Sequence, residues 1–309
     1  MKKVLRCIIF LTILVILLIF LSKIFVPKNN TAEAGFDKNK ALAYGILAEP
    51  EGTIDVLVTG DSESYSSYIP MEVWNDYGIS SYVCGTPAQP LPLTFSLIKD
   101  TFKKQDLKLV VLEANTIYLK KSIAEPIIQF TRNTMPIVQY HDRWKTITKK
   151  DLFNDIKYTA IQESKGYYYS NDVKPTKNNN YMKKTEDIQS ISKVNKLFVK
   201  MIKKYCEKNG AQFMIYSSPS IKNWSYEKHN GIEELAKELD VEYVDLNLLQ
   251  DEIKIDWTKD SRDNGDHLNY IGAVKITKFL GKYFKEHYNL EDHKNDEKYK
   301  FWNEISEKK

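Results

Sequence analysis

Hydrophobic and polar positions along this chain fall into three regimes. From residue 4 to 26 nearly every position is apolar, and residues 7–21 read CIIFLTILVILLIFL without a charge. Past Arg6 only Lys23 interrupts the run, near its end, where its long stem can snorkel to an interface. A segment of this length crosses a bilayer. Lys2, Lys3 and Arg6 before it favour a cytoplasmic N-terminus, with the bulk of the chain on the outer side. The competing reading is a cleaved signal peptide, but its best site, Ala32-Glu33-Ala34, lies well past the apolar core. The expectation is a membrane anchor over residues 1–26, embedded through 4–26, and a polar linker over 27–50.

In the second regime, from Gly52 onward, short apolar runs alternate with amphipathic ones. Ile54, Val56, Leu57 and Val58, bounded by Gly52 and Gly60, read as a buried strand. Residues 79–83 (ISSYV) form a second strand, ending at Cys84-Gly85-Thr86-Pro87. Pro92 suits the first turn of a helix that runs to about residue 104. Residues 107–112 form a third strand, followed by Glu113-Ala114-Asn115. Thr185 reads as the cap of an amphipathic helix whose apolar stripe includes Ile188, Ile191, Leu197, Met201 and Ile202, ended by Asn209-Gly210. Strands follow over 213–216 and 241–246, separated by a short helix lined by Ile232, Leu235, Ala236 and Leu239. Asn269 caps a last helix with Ile271, Val274, Phe279, Leu280 and Tyr283 inward.

Strands separated by helices predict an α/β fold with a mostly parallel sheet covered on both faces. Ligands of such sheets sit at the carboxyl ends of the strands, where Ser62, Gly85, Asn115 and the segment after Ser217 fall. This body spans 51–290. The third regime is irregular. Residues 120–184 lose the strand–helix rhythm and read as an insertion, and residues 291–309 read as a charged C-terminal tail.

Composition narrows the classes. Lys+Arg number 45 against 41 Asp+Glu, a net charge of +4 over 309 residues. That balance, with lysines dispersed, gives no footprint for nucleic acid. Three cysteines make no disulfide framework, and neither Cys-x-x-Cys nor paired histidines suggest a metal. No cofactor is expected: a Gly-x-Gly-x-x-Gly or P-loop, which a nucleotide-binding reading needs, is absent.

The candidate chemistry begins at Gly60-Asp61-Ser62, where a strand gives way to a helix. A serine there either caps the helix or acts as a nucleophile beside unpaired N–H groups. A serine nucleophile needs a base, a group orienting that base, and oxyanion donors. Of the five histidines, His287 and His293 lie in or beside the charged tail, His229 in a polar loop and His141 in the insertion. His267 alone precedes a capped helix and is flanked by carboxylates, Asp263 and Asp266. Asp266 is its immediate neighbour, and adjacent side chains rarely meet. Asp263 has enough loop to fold back, so the reading leans to Asp263 without excluding Asp266.

Gly60-Asp61-Ser62, Gly85, Asn115 and the late Asp266-His267-Leu268-Asn269 together resemble the four blocks of the SGNH (GDSL-like) hydrolases. The resemblance covers about residues 52–118 and 211–285. It implies a flavodoxin-like three-layer α/β/α fold, Ser62 as nucleophile and His267 as base. The oxyanion donors it implies are the N–H groups of Ser62 and Gly85 and the side chain of Asn115. Two blocks depart from the pattern. Glu113-Ala114-Asn115-Thr116 stands where the family has Gly-x-Asn-Asp, and Asn264 stands where it has the aspartate of Asp-x-x-His. With its anchor the chain resembles the extracytoplasmic members that act on envelope polymers. These include proteins paired with membrane-bound O-acyltransferases and the D-alanyl transfer proteins of teichoic acid.

The implied function is a serine esterase or O-acyltransferase acting on an acyl ester of an envelope glycan or polyol through an acyl-Ser62 intermediate. The alternative is a non-catalytic accessory of an envelope-modifying complex. The insertion offers His141, Arg143 and Trp144, and the run Tyr167-Tyr168-Tyr169, as carbohydrate contacts.

Overall fold

The computed structural model describes residues 2–119, 124–177 and 180–308. Helix α1 (Lys2–Phe25) is the apolar segment, and α2 (Lys38–Tyr44) follows it. The α/β body then runs β1 (Val56–Gly60), α3 (Ser62–Ser67), α4 (Pro70–Tyr77), β2 (Ser81–Gly85), α5 (Leu91–Thr101), β3 (Leu109–Glu113) and α6 (Asn115–Tyr118). Among its described residues the insertion holds three short helices, α7 (Glu125–Thr134), α8 (Ile137–Tyr140) and α9 (Lys149–Phe153), with a 3₁₀ turn (His141–Lys145) after α8. The body resumes with α10 (Lys193–Lys208), β4 (Gln212–Ser217), α11 (Tyr226–Leu239), β5 (Glu242–Asp245), α12 (Gln250–Ile253) and α13 (Tyr270–His287), and α14 (Lys300–Glu307) ends it.

The five strands form one sheet in the order β2-β1-β3-β4-β5, and every pairing is parallel. Alternation along the strands divides the core in two. Leu57, Val110, Leu112 and Ile215 face one layer with α5, α10 and α11, through Leu97, Val199, Ile202 and Leu235. Val56, Val58, Leu109 and Val111 face the other, with α3, α4 and α13, through Tyr68, Val73, Ile276 and Phe284. The expected three-layer α/β/α architecture is thus present. The order 2-1-3-4-5 puts the end of β1 between the ends of β2 and β3, at the switch point where ligands bind in such sheets.

Several boundaries differ from the sequence reading. Pairing with β1 in the register Val56↔Ser81 moves β2 two residues later than expected. The helix expected from Thr185 starts at Lys193, capped by the Ser192 hydroxyl. Residues 185–189 instead pair with α11: Gln189 N donates to Glu227 O, and the Asn230 amide donates to the carbonyls of Thr185 and Asp187. In α13 the inward face is rotated from the one expected. Ala273, Ile276, Leu280 and Phe284 are buried, while Ile271 is 50% exposed.

Two segments read as peripheral belong to the core. Within the stretch expected to be a linker, Ala43 and Ile46 are fully buried, and Glu49 forms a fully buried ion pair with Lys165 at 2.8 Å. The charged tail carries apolar residues at helical spacing that the lysines and glutamates mask in composition. Trp302 of α14 is fully buried against Trp74, with ring centroids 5.1 Å apart. His293 bonds Asp55 at 2.6 Å and stacks on Tyr299.

Truncating Trp302 to alanine empties a site the fold cannot refill. We expect a loss of about 3–5 kcal/mol, measured by urea unfolding of the full chain in detergent. A dispensable tail would give almost none.

Candidate active site

Ser62, Asn115, Asp263, Asp266 and His267, far apart in sequence, converge at the end of β1. Gly60 is the last residue of that strand, and a Cβ there would lie 2.7 Å from Glu113 Cβ and 3.3 Å from Ser64 Cβ. Only glycine lets β3 and the first turn of α3 approach this closely. Asp61 then caps α3, its carboxylate accepting the Glu63 N–H at 3.1 Å. Ser62 is the first helical residue, so its side chain leaves the turn rather than the core.

The partner comes from the far end of the chain. Ser62 Oγ and His267 Nε2 are 2.8 Å apart, and His267 Nδ1 lies 2.6 Å from Asp263 Oδ2. With Nδ1–H donating to the carboxylate, Nε2 is left to accept the serine proton. A tight loop brings Asp263 back onto the ring. Asn264 and Gly265 both take left-handed φ values, 64° and 83°, a conformation these two residue types tolerate best. Ser261 Oγ accepts the Gly265 N–H at 2.7 Å, and Asp263 Oδ1 accepts the His267 N–H at 2.6 Å. The Asn264 amide donates to Pro175 O.

Asp266 plays a different part. It lies 3.7 Å from His267 Nδ1 and is bonded at 2.5 Å by the Asn223 amide. The same amide donates to Glu63 Oε1 at 2.7 Å, tying the two carboxyl groups together. Glu63, Asp266 and His267 are the one cluster among the described residues whose ligand atoms approach within 4.8 Å. A cation there would compete with Ser62 or Asp263 for the imidazole.

Beneath the serine lies a buried acidic floor that the sequence reading missed. Asp61, Glu63 and Glu113 are all buried. Burial pushes the Glu63 carboxyl up to about 8. Burial, and then the charges of Asp61 and Glu63, push Glu113 far above the usual carboxylate range. Lys228 is the cation of this floor. Its Nζ donates to Asn115 Oδ1 at 3.1 Å and to Asn223 O, and its ammonium sits over the rings of Tyr118 and Trp224. The Asn115 amide in turn donates to Asp61 Oδ2 at 2.8 Å. Gly85 ends β2 beside Gly60, packed so closely on the 61–65 turn that a Cβ would meet Ser64 Oγ at 2.5 Å. Glu63 was readable only as the neighbour of Ser62, and nothing in the sequence marked Asn223 or Lys228.

The insertion residues singled out in the sequence have partners of their own. Arg143 is buried in an ion pair with Asp151 at 2.7 Å and bonds Phe25 O. His141 pairs with Asp142 at the surface, and Trp144 is exposed. None of the three bonds a residue of the Ser62–His267 cluster. Tyr167 is core, and Tyr168 packs on Tyr65 with the Arg262 guanidinium 4.9 Å from its ring centroid. Arg262 Nε stands 3.7 Å from Asp263 Oδ2, so this part of the insertion braces the loop that holds the imidazole.

Burial pulls His267 down, but the bond to Asp263 and the charge of Glu63 outweigh it, and the net shift is upward. Asp263 is pushed up by burial yet held low overall by the ring and backbone bonds from His267. We expect NMR titration of His267 to give a midpoint above the ordinary value of about 6.5. In Asp263→Asn, which removes both the bond and its charge, the midpoint should fall.

No family model matches the chain, and no curated protein does. Among solved structures, a lipase/acylhydrolase from Enterococcus faecalis aligns at 9% identity over 77% of this chain and 99% of its own, with a TM-score of 0.41. An acetyl xylan esterase aligns at 11% identity over 74% and 99%, TM-score 0.41. A GDSL-like lipase from Bacteroides thetaiotaomicron aligns at 11% identity over 81% and 98%, TM-score 0.39. What speaks for this chain is its own geometry: a parallel sheet in the order 2-1-3-4-5, with Ser62, Gly85, Asn115 and the segment after Ser217 at its strand ends.

Proposed function

We propose that the chain is a serine-dependent ester hydrolase or O-acyltransferase, anchored by α1 with its α/β body on the outer side of the membrane. The observation that carries this reading is the unbroken relay Ser62–His267–Asp263, with contacts of 2.8 and 2.6 Å. Ser62 Oγ attacks the ester carbonyl while His267 Nε2 takes its proton, and Asp263 holds the imidazolium. The oxyanion is assigned to the N–H groups of Ser62 and Gly85 and to the Asn115 amide, which Asp61 and Lys228 orient. Collapse expels the alcohol, protonated by His267, and leaves acyl-Ser62. A second hydroxyl, from water or from a sugar or polyol of the envelope, enters by the reverse path. The helix long and apolar enough to cross a membrane supports an envelope polymer as the acyl donor or acceptor, with a membrane-bound O-acyltransferase as partner.

One observation favours the accessory reading instead. The Asn115 amide already donates to the Asp61 carboxylate, which costs the oxyanion part of its third donor unless the other N–H of that amide serves.

The two readings separate on the full-length protein given p-nitrophenyl acetate and a fluorophosphonate probe. We expect labelling and turnover that Ser62→Ala abolishes and that Asp263→Asn lowers by roughly 10⁴-fold. No labelling at any pH would sink the enzyme reading. Because the base must be neutral and its pKa is raised, rates should fall as pH drops through a midpoint above about 6.5.

A further inference from the structure

The insertion carries apolar side chains that the fold leaves uncovered. Phe153 is 84% exposed, Phe130 70%, Ile127 69% and Trp144 65%, and Leu152 and Val138 are half exposed. All lie between residues 127 and 153, in α7, α8, α9 and the 3₁₀ turn. These are also the elements that hold the end of the apolar helix. α8, α9 and the turn pack on α1, and α7 packs on α8. Ile137 N–H donates to Ser22 Oγ at 3.2 Å, and Arg143 Nη1 donates to Phe25 O at 2.6 Å. Beyond the helix the clamp continues, with the Asn29 and Asn30 side chains bonding Thr159 and Ala160.

Depth follows from these bonds. The 24 residues of α1 rise about 36 Å, against a hydrocarbon thickness of about 30 Å. Ser22 and Phe25 therefore come to the outer boundary of a bilayer that α1 spans, and whatever bonds them sits at that depth. Exposed apolar side chains there meet the headgroup–acyl boundary rather than bulk water. The polar complement is basic. Lys145, Lys149, Lys150 and Lys157 are exposed along the same stretch, against Asp142 and Asp155, since Asp151 is taken by Arg143. Lys145 Nζ lies 5.3 Å from the centroid of the Trp144 ring, a cation and an aromatic side by side as at membrane interfaces.

We propose that residues 125–157 form a membrane-surface collar around α1, with Phe130, Trp144 and Phe153 entering the outer leaflet and the lysines on anionic lipid phosphates. This goes beyond the acyl chemistry and does not depend on it; it rests only on α1 spanning the bilayer.

Trp144 is the one exposed tryptophan, since Trp74, Trp224, Trp257 and Trp302 are buried, so its emission reports the collar. The full-length protein is reconstituted into nanodiscs of phosphatidylcholine and phosphatidylglycerol with plain or brominated acyl chains. Bromine should quench the Trp144 contribution by roughly half or more, and Trp144→Phe should remove the bromine dependence. Quenching should also weaken when phosphatidylglycerol is omitted, and Lys149→Glu with Lys150→Glu should erase that lipid preference. Equal emission in both discs, from protein that co-elutes with them, would overturn the collar and leave the patch to a protein partner. Protein that fails to co-elute would overturn the span on which the collar rests.

Discussion

The structure turns on the contact between Ser62 and His267, two residues 205 positions apart. Neither side chain can reach the other unless two helix starts dock on the same end of one sheet. α3 begins where β1 stops, and α13 begins two residues after Leu268, whose buried side chain belongs to the same core layer as α3. Thr277 of α13 accepts the Ile69 N–H at 2.9 Å, pinning α13 to the segment between α3 and α4. The geometry of the pair is therefore a property of that packed layer rather than of either loop. A shift of α13 by one turn would move the imidazole about 5.4 Å, beyond hydrogen-bond reach.

Around that contact the protein tolerates an unusual concentration of buried acid. Isolated carboxylates in such a setting would be strongly penalised, so the groups either neutralise or find donors. Glu63 and Glu113 are both raised, with burial as the leading cause, and both accept donors: the Asn223 amide on Glu63, and the Asn115 and Ser218 N–H groups on Glu113. Asp61 is also raised by burial, but it accepts from the Glu63 N–H and the Asn115 amide. Lys228, itself pulled down by burial, supplies the positive charge that balances the remainder. Glu63 Oε2 is fully enclosed and has no hydrogen-bond partner among the described residues. At the imidazole edge the bond from Asp263 and the charge of Glu63 both favour the protonated ring.

The insertion links this site to the apolar helix α1 by contact on both sides. Its later part, through Tyr168 and Arg262, touches the loop that carries Asp263. Its earlier part, through Arg143 and Ile137, holds the last turns of α1. The buried Arg143–Asp151 pair makes that second attachment specific, because either charge left alone there would be costly. A segment with few apolar periods of its own thus takes its shape from what lies on either side of it.

Local pattern by itself determined the α/β alternation, the apolar helix, the strand end at Gly60-Asp61-Ser62 and the cap at Asn269, because each rests on periodicity or turn chemistry within a few residues. It also singled out His267, through its place before a capped helix. Boundaries drifted where partners on other elements set them: β2 begins where β1 lets it pair, and residues 185–189 give up helix for bonds to α11. The choice of Asp263 over Asp266 needed the left-handed turn at Asn264 and Gly265, which brings one carboxylate back while Asn223 holds the other. Glu63, Glu113, Asn223 and Lys228 were silent in sequence, since burial and long-range pairing, not residue type, give them their roles. Trp302 was hidden for the same reason: composition records charge along a segment, whereas only the folded core decides which face of it is wet.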